Sequence, residues 1–181
     1  MTCWSNYKKG RKTSVMTANS PRLILTTPSD REIVISRVFN APRRLVWEAW
    51  TRPEYVARWF GAVGWTVPVC EIDLRPGGTY RYVMRSAEGQ EVTMRGVYRE
   101  VVAPERLVST ETFEGFSEVG YRPEDDTVST AVLTERDGKT TWTGTIVYPS
   151  KEIRDGALAT PMEEGMNGSF DRLDAILATM A

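Results

Sequence analysis

The chain contains no histidine among its 181 residues. This absence excludes Ser-His-Asp and Cys-His catalysis, acid–base chemistry by an imidazole, and any metal site that needs a histidine ligand. Cysteine is almost absent too: Cys3 and Cys70 are too few for a disulfide framework or a thiolate zinc site. A Mg²⁺ or Ca²⁺ site built from oxygen ligands alone stays open, but no acidic loop of the EF-hand kind occurs. We therefore expect no metal, no cofactor and a reducing, cytoplasmic location.

Long apolar runs and phosphate-binding glycine motifs are also missing. No stretch reaches the roughly 18–20 apolar residues of a membrane span, and the polar N-terminus does not resemble a secretory signal. Neither GxGxxG nor GxxxxGK[ST] occurs. The composition, 41% hydrophobic and 26% charged, is that of one globular domain. Membrane insertion and nucleotide-phosphate binding are therefore disfavoured.

Positive charge is unevenly distributed along the chain. Residues 1–22 carry basic side chains and no acidic one, although the whole chain has a net charge of −1. We predict a disordered basic leader at 1–22 followed by a single domain at 23–181. The leader alone could touch nucleic acid or a membrane surface, whereas the acidic domain argues against nucleic-acid binding.

The hydrophobic period changes along the domain. One strand is predicted at 31–39, and two short amphipathic helices follow at about 42–50 and 51–60. The period then becomes two, and short turns between most segments require antiparallel neighbours. The six further strands are predicted at 65–74, 79–86, 91–101, 106–113, 126–135 and 139–148.

A long helix is predicted at about 161–180, after a loop and a short helical turn. Its apolar stripe must be buried, which indicates an α+β fold in which a curved antiparallel sheet grips the helix. Asp171, Arg172 and Asp174 are interpreted as its solvated face. The stripe consists of Met162, Met166, Phe170, Leu173, Leu177 and Met180.

Four segments together resemble a known superfamily: "NAPRRLVWEAWTRPEYVARWF", "EIDLRPGGTYRYVM", "GVYREVVAPERLVSTETFEGF" and "YPSKEIRDGALATPMEEGMNGSFDRLDAILA". They are similar to START-like, Bet v 1-like (SRPBCC) proteins, and specifically to the AHSA1-like branch named after the activator of Hsp90 ATPase. The resemblance implies a helix-grip fold with seven antiparallel strands around the C-terminal helix and a cavity between them. It also implies binding or processing of hydrophobic small molecules, polyketide cyclisation, or contact with Hsp90.

Two glycines, Gly165 and Gly168, lie in the first turns of the long helix, where each costs about 0.5–1 kcal/mol relative to alanine. Either the backbone is closely packed there, or a ligand needs the room. Aromatic and methionine side chains alternate on the strands and would face the helix, with Gly96 leaving space among them. They either form the core or surround a cavity, which Trp47, Trp50, Trp59 and Phe60 would close at one end.

Glu111 is the polar residue most relevant to chemistry. On a regular strand it shares a face with Leu107, Ser109 and Phe113. If that face points inward, burial should raise its pKa and prepare a weak candidate acid or base, paired with a tyrosine hydroxyl, Arg81 or Arg95. If Thr110 and Thr112 face inward instead, Glu111 is solvated. The predicted ligand-binding residues are Trp47, Trp59, Tyr80, Tyr82, Met84, Met94, Tyr98, Glu111, Trp142, Met166 and Phe170.

Three functions remain open at this stage. The first is a non-catalytic binding domain for a small apolar molecule. The second is a cyclase or hydro-lyase acting on an aromatic, polyketide-like substrate, which needs a positioned acid–base pair. The third is a chaperone cofactor or regulatory interaction protein, with an exposed apolar surface. Homodimerisation through sheet or helix edges stays open, and no protein partner is indicated.

Overall fold

A computed structural model describes residues 22–115 and 127–180, so nearly all of the predicted leader lies outside the described residues. The helices are α1 (Arg43–Thr51), α2 (Pro53–Trp59), α3 (Lys151–Leu158) and α4 (Met162–Met180). The strands are β1 (Ile24–Thr26), β2 (Glu32–Phe39), β3 (Thr66–Ile72), β4 (Thr79–Arg85), β5 (Glu91–Val102), β6 (Arg106–Glu114), β7 (Thr127–Arg136) and β8 (Lys139–Val147).

The described strands form one curved antiparallel sheet in the order β1-β2-β8-β7-β6-β5-β4-β3. Because β2 pairs with β8, the first long strand and the last strand lie side by side. The two short helices follow β2, and the long helix α4 ends the described chain. The predicted α+β class and its antiparallel sheet are confirmed.

The prediction of seven strands is wrong by one. The extra strand, β1, has three residues and pairs with Val34–Ser36 at the edge of the sheet. A segment this short cannot show an alternating pattern, so the sequence gives no strand signal there. The segment before α4 also differs from the prediction, because α3 is a two-turn helix whose start is capped by the Ser150 hydroxyl, which accepts a hydrogen bond from Ile153 N.

The core lies between the sheet and α4. Phe170, Leu173 and Leu177 of the predicted stripe are buried against the sheet, whereas its methionines lie at the border of the core. From β2, Ile33, Ile35 and Phe39 meet them with no exposed surface. This packing is the main reason that α4 is stable despite its two glycines.

The interpretation of Asp171, Arg172 and Asp174 as a merely solvated face is wrong. Arg37 on β2 is buried, and its guanidinium lies 2.7 Å from Asp171 Oδ1 and 2.5 Å from Asp174 Oδ2. Arg172 donates hydrogen bonds to the carbonyls of Trp59 and Gly61. A buried cation needs paired partners, so the charges of α4 fasten this helix to the sheet and to the end of α2.

Candidate functional site

A cavity of about 390 Å³ lies between α4 and the concave face of the sheet. All four helices and the strands β4 to β8 contribute to its wall. Ten of the eleven residues predicted for ligand binding line it. These residues are Trp59, Tyr80, Tyr82, Met84, Met94, Tyr98, Glu111, Trp142, Met166 and Phe170.

Trp47 is the exception, because it is a buried core residue and not part of the described lining. Its neighbour on α1, Trp50, borders the cavity instead. The Trp50 ring stacks on Trp142 with a centroid distance of 4.8 Å and lies 4.7 Å from Trp59. Of the four residues expected to close one end of the cavity, Trp50, Trp59 and Phe60 line it, and Trp47 does not.

The two glycines of α4 have different surroundings. A Cβ added at Gly165 would meet no described atom within 4 Å apart from its neighbours and its own helix backbone, and Gly165 borders the cavity. A Cβ at Gly168 would lie 2.6 Å from Val63 Cγ2. Close packing therefore applies to Gly168, whereas Gly165 leaves room beside the helix, and a ligand in that room stays a prediction.

Two glycines on the strands serve aromatic packing. At Gly96 a Cβ would lie 1.9 Å from the Thr110 carbonyl oxygen and 2.7 Å from the Tyr80 ring. The space expected there is therefore filled by Tyr80, whose hydroxyl donates a hydrogen bond of 2.9 Å to the same carbonyl. At Gly144 a Cβ would lie 2.3 Å from the Trp142 ring. These glycines let the two rings lie flat against the sheet.

Three tyrosines form one side of the cavity. The ring centroids of Tyr80 and Tyr82 are 5.2 Å apart, and those of Tyr80 and Tyr98 are 5.3 Å apart. Burial raises the pKa of Tyr98 to about 12 and that of Tyr82 well above its ordinary value, and the two side chains share a hydrogen bond. The hydroxyls of Tyr82 and Tyr98 are therefore neutral hydrogen-bonding groups at physiological pH.

Glu111 borders the cavity together with Leu107, Ser109 and Phe113, which share its face of β6. Burial raises the pKa of its carboxyl to about 7, and a hydrogen bond from the Ser129 side chain partly opposes this shift. The partners proposed from the sequence are wrong for the arginines. Arg81 and Arg95 are half-exposed and form ion pairs with Glu71 and Glu114.

Sequence reasoning did not include the hydroxyl residues of β7 in the site. In the register of the sheet Thr127 lies opposite Glu111, Ser129 lies opposite Ser109, and all four line the cavity. The alternation of Thr127, Ser129 and Ala131 was the available signal, since small residues on one face of a strand leave volume. We call Ser109, Glu111, Thr127 and Ser129 the polar patch.

The part of the chain that the structure describes gives little support for a metal site or a reactive thiol. It contains no group of three or more Asp, Glu or Cys side chains that could hold a metal ion. Burial raises the pKa of the Cys70 thiol to about 11, so the reactive thiolate is scarce at neutral pH. Among the described helices, none has the length and apolarity needed to cross a bilayer.

Comparison with known proteins identifies a matching family and solved structures with the same fold. The family model described as "Activator of Hsp90 ATPase homolog 1-like protein" matches residues 40–178. A crystal structure from Rhodobacter sphaeroides is similar with a TM-score of 0.80 and 25% identity, over 88% of this chain and 99% of the other. One from Nitrosomonas europaea has a TM-score of 0.74 and 25% identity, over 85% and 98%. An AHSA1-like protein from Aeromonas hydrophila shares the fold at 19% identity, over 79% and 93%, with a TM-score of 0.60. A search of curated proteins gives no match.

Proposed function

The chain belongs to the activator of Hsp90 ATPase homolog 1-like family, and we propose that it binds a small, mainly apolar molecule between α4 and the sheet. The observation that carries this proposal is the cavity of about 390 Å³ beside Gly165. Ligand sites in proteins are typically about 300–1,000 Å³, lined by apolar and aromatic groups with a few polar ones. The lining here follows that composition.

The energetics favour a flat or flexible ligand. Burying about 200 Å² of apolar ligand surface contributes about 5 kcal/mol, from which the cost of immobilising the ligand must be subtracted. Met84, Met94 and Met166 can adapt to different shapes, because the thioether chain has several accessible conformations. Tyrosine and tryptophan rings offer flat surfaces for aromatic ligands.

The test uses a neutral aromatic probe, tryptophol, and a variant that fills the cavity. Gly165→Leu places a large side chain where the helix borders the cavity, whereas Glu164→Leu adds the same side chain at the exposed neighbouring position. Titration calorimetry should show binding to the wild-type protein and to Glu164→Leu, and at least tenfold weaker binding to Gly165→Leu. Equal affinities for all three proteins would exclude this cavity as the site.

A second candidate function, cyclase or hydro-lyase chemistry, is favoured by one observation. Glu111 borders the cavity with a pKa raised to about 7, which suits a general acid or base at neutral pH. The expected result is a titration of Glu111 near neutrality by NMR, together with turnover of an aromatic polyketide-like substrate that Glu111→Gln abolishes. A Glu111 pKa close to the ordinary value of 4.5 would contradict this candidate.

The interaction-protein alternative has less to support it. The large exposed apolar side chains of the described residues are distributed over β1, β2, β5, α3 and the loop after α2. They are Ile24, Val38, Val63, Val97, Val102 and Leu158. A chaperone or regulatory partner, a homodimer and a cytoplasmic location stay predictions.

A further inference from the structure

The charge around the cavity is of one sign. Glu111 is the one described lining residue whose side chain can carry a full charge near neutral pH, and no described arginine or lysine lines the cavity. The hydroxyls of Ser109, Thr127 and Ser129 surround this carboxyl in the register of β6 and β7. A polar ligand group that enters the cavity therefore meets one carboxyl group and several hydroxyl oxygens.

We propose that the ligand carries a cationic amino group that binds the polar patch, so that the ligand class is an aromatic or aliphatic amine. This proposal rests on the proposed binding function and names the chemistry of the ligand's polar end.

Hydrogen bonding supports an ammonium group at this position. An ammonium has three donors and no acceptor, and the polar patch offers carboxylate and hydroxyl oxygens that can accept them. Glu111 accepts the hydrogen bond of Ser129, and a carboxylate has about four acceptor positions in total. A buried ion pair is favourable only when its remaining hydrogen bonds are satisfied, and the three hydroxyls of the patch supply them.

The aromatic wall next to the patch also favours a cation. Tyr98 lies opposite Ser109 in the pairing of β5 with β6, so its ring adjoins the patch, and Tyr80 packs against it. The faces of such rings attract cations, most strongly in desolvated sites. A carboxylate ligand would instead place two acids together, and one of them would have to take up a proton.

The remaining titratable groups that face the cavity are phenols, and burial raises the pKa of Tyr82 and Tyr98, so these two are neutral at physiological pH. The phenols are those of Tyr80 and Tyr82 on β4, Tyr98 on β5 and Tyr148 after β8. From α3 and α4, the described lining residues carry no acid or base, and β7 contributes Thr127, Ser129 and Ala131. Amine affinity should therefore follow the ionisation of Glu111 alone, rising as pH passes about 7. An alkylammonium stays protonated up to about pH 10.

Three probes with the same indole ring and different end groups test the proposal: tryptamine, tryptophol and indoleacetate. Their dissociation constants are measured by calorimetry at about pH 8 with the full-length wild-type protein. We expect tryptamine to bind about tenfold more tightly than tryptophol, and indoleacetate to bind more weakly than both. In Glu111→Gln the advantage of tryptamine over tryptophol should disappear, whereas the control Glu88→Gln, at an exposed turn, should keep it.

The wild-type protein provides a second measurement that needs no variant. Between about pH 8 and pH 6, tryptamine should lose about fivefold in affinity while tryptophol changes less than about twofold. If tryptophol binds and tryptamine gains nothing over it, or if indoleacetate binds most tightly, the amine proposal is overturned and the apolar binding function stands. If tryptamine, tryptophol and indoleacetate all fail to bind, the proposed function falls and this inference falls with it.

Discussion

At the scale of single residues, the surroundings of a side chain decide what the residue does. Gly165 and Gly168 share one helix and one side-chain type, yet the first borders a cavity and the second lies against Val63. Glu111 is a glutamate on a strand like Glu114 three residues later, but it borders the cavity while Glu114 pairs with Arg95 at the surface. The residue types and their spacing in the sequence predicted that the two glycines and Glu111 are unusual for their elements. Neighbours from distant segments of the chain decide the role of each.

The two glycines should respond differently to alanine. Gly165→Ala should raise the free energy of unfolding by about 0.5–1 kcal/mol, because alanine favours the helix and its Cβ meets no described neighbour within 4 Å. Gly168→Ala should gain less or lose stability, since its Cβ would lie 2.6 Å from Val63 Cγ2. Urea denaturation measures both. Val63→Ala is the control background, in which Gly168→Ala should recover the full gain; the same deficit there would show that Val63 is not the cause.

Glu111 should make the stability of the protein depend on pH. Its folded pKa of about 7 lies above the ordinary 4.5, so the folded state holds the proton more tightly than the unfolded state. The associated stability is fully present below about pH 4.5 and is lost as pH rises through about 7, by about 3 kcal/mol at most. Glu111→Gln cannot ionise, so it should be more stable than the wild-type protein at pH 8 and similar to it at pH 4. Thermal unfolding at both values measures this, with Glu88→Gln as control; a constant difference between the two pH values would contradict the raised pKa.

At the scale of elements, the hydrophobic periodicity of the sequence predicted the long strands and the long helix, and it missed the short elements. The strands from β2 to β8 and the helix α4 were predictable because each repeats its pattern several times. Three residues of β1 cannot show a period, and α3 is too short and polar to be told from a loop. On β2 the buried face alternates regularly as Ile33, Ile35, Arg37 and Phe39, so one position of this face is a charged residue that points to the acids of α4, while Val38 is exposed. A single-strand pattern cannot predict such a pairing, because the partner residues lie on α4.

The ion pairs of Arg37 should contribute unequally to the anchoring of α4. The Asp174 side chain is 25% exposed and lies 2.5 Å from the guanidinium, whereas the Asp171 side chain is 62% exposed. Asp174→Asn should therefore cost about 2–3 kcal/mol in unfolding free energy, since it leaves a buried cation poorly compensated. Asp171→Asn should cost less than about 1 kcal/mol, as exposed pairs do. Urea denaturation compares the two variants; equal costs would mean that burial does not set the strength of these pairs.

At the scale of the whole molecule, the candidate site is assembled from segments far apart in the chain. Alternation on single strands identified the aromatic and methionine residues of the lining, because each face follows from one local pattern. The β7 hydroxyls of the polar patch were missed, since Thr127 and Ser129 meet Glu111 and Ser109 only through the register of β6 with β7. Both Trp47 and Trp50 were expected at the cavity and only Trp50 borders it, because the orientation of a nine-residue helix depends on its packing against other elements.

A ligand held by so many elements should stabilise the entire domain. At a concentration about 100 times its dissociation constant, a ligand that binds only the folded state adds about 2.7 kcal/mol of stability. For a domain of this size the unfolding temperature should then rise by about 5–10 °C in scanning calorimetry with tryptophol. Without ligand, Gly165→Leu should have a higher unfolding temperature than the wild-type protein, because its side chain fills the cavity. With tryptophol, the unfolding temperature of this variant should rise little further. Glu164→Leu should behave as the wild-type protein does. A rise in Gly165→Leu as large as in the wild-type protein would mean that tryptophol stabilises the domain from another surface, because the volume beside α4 would then be occupied by leucine.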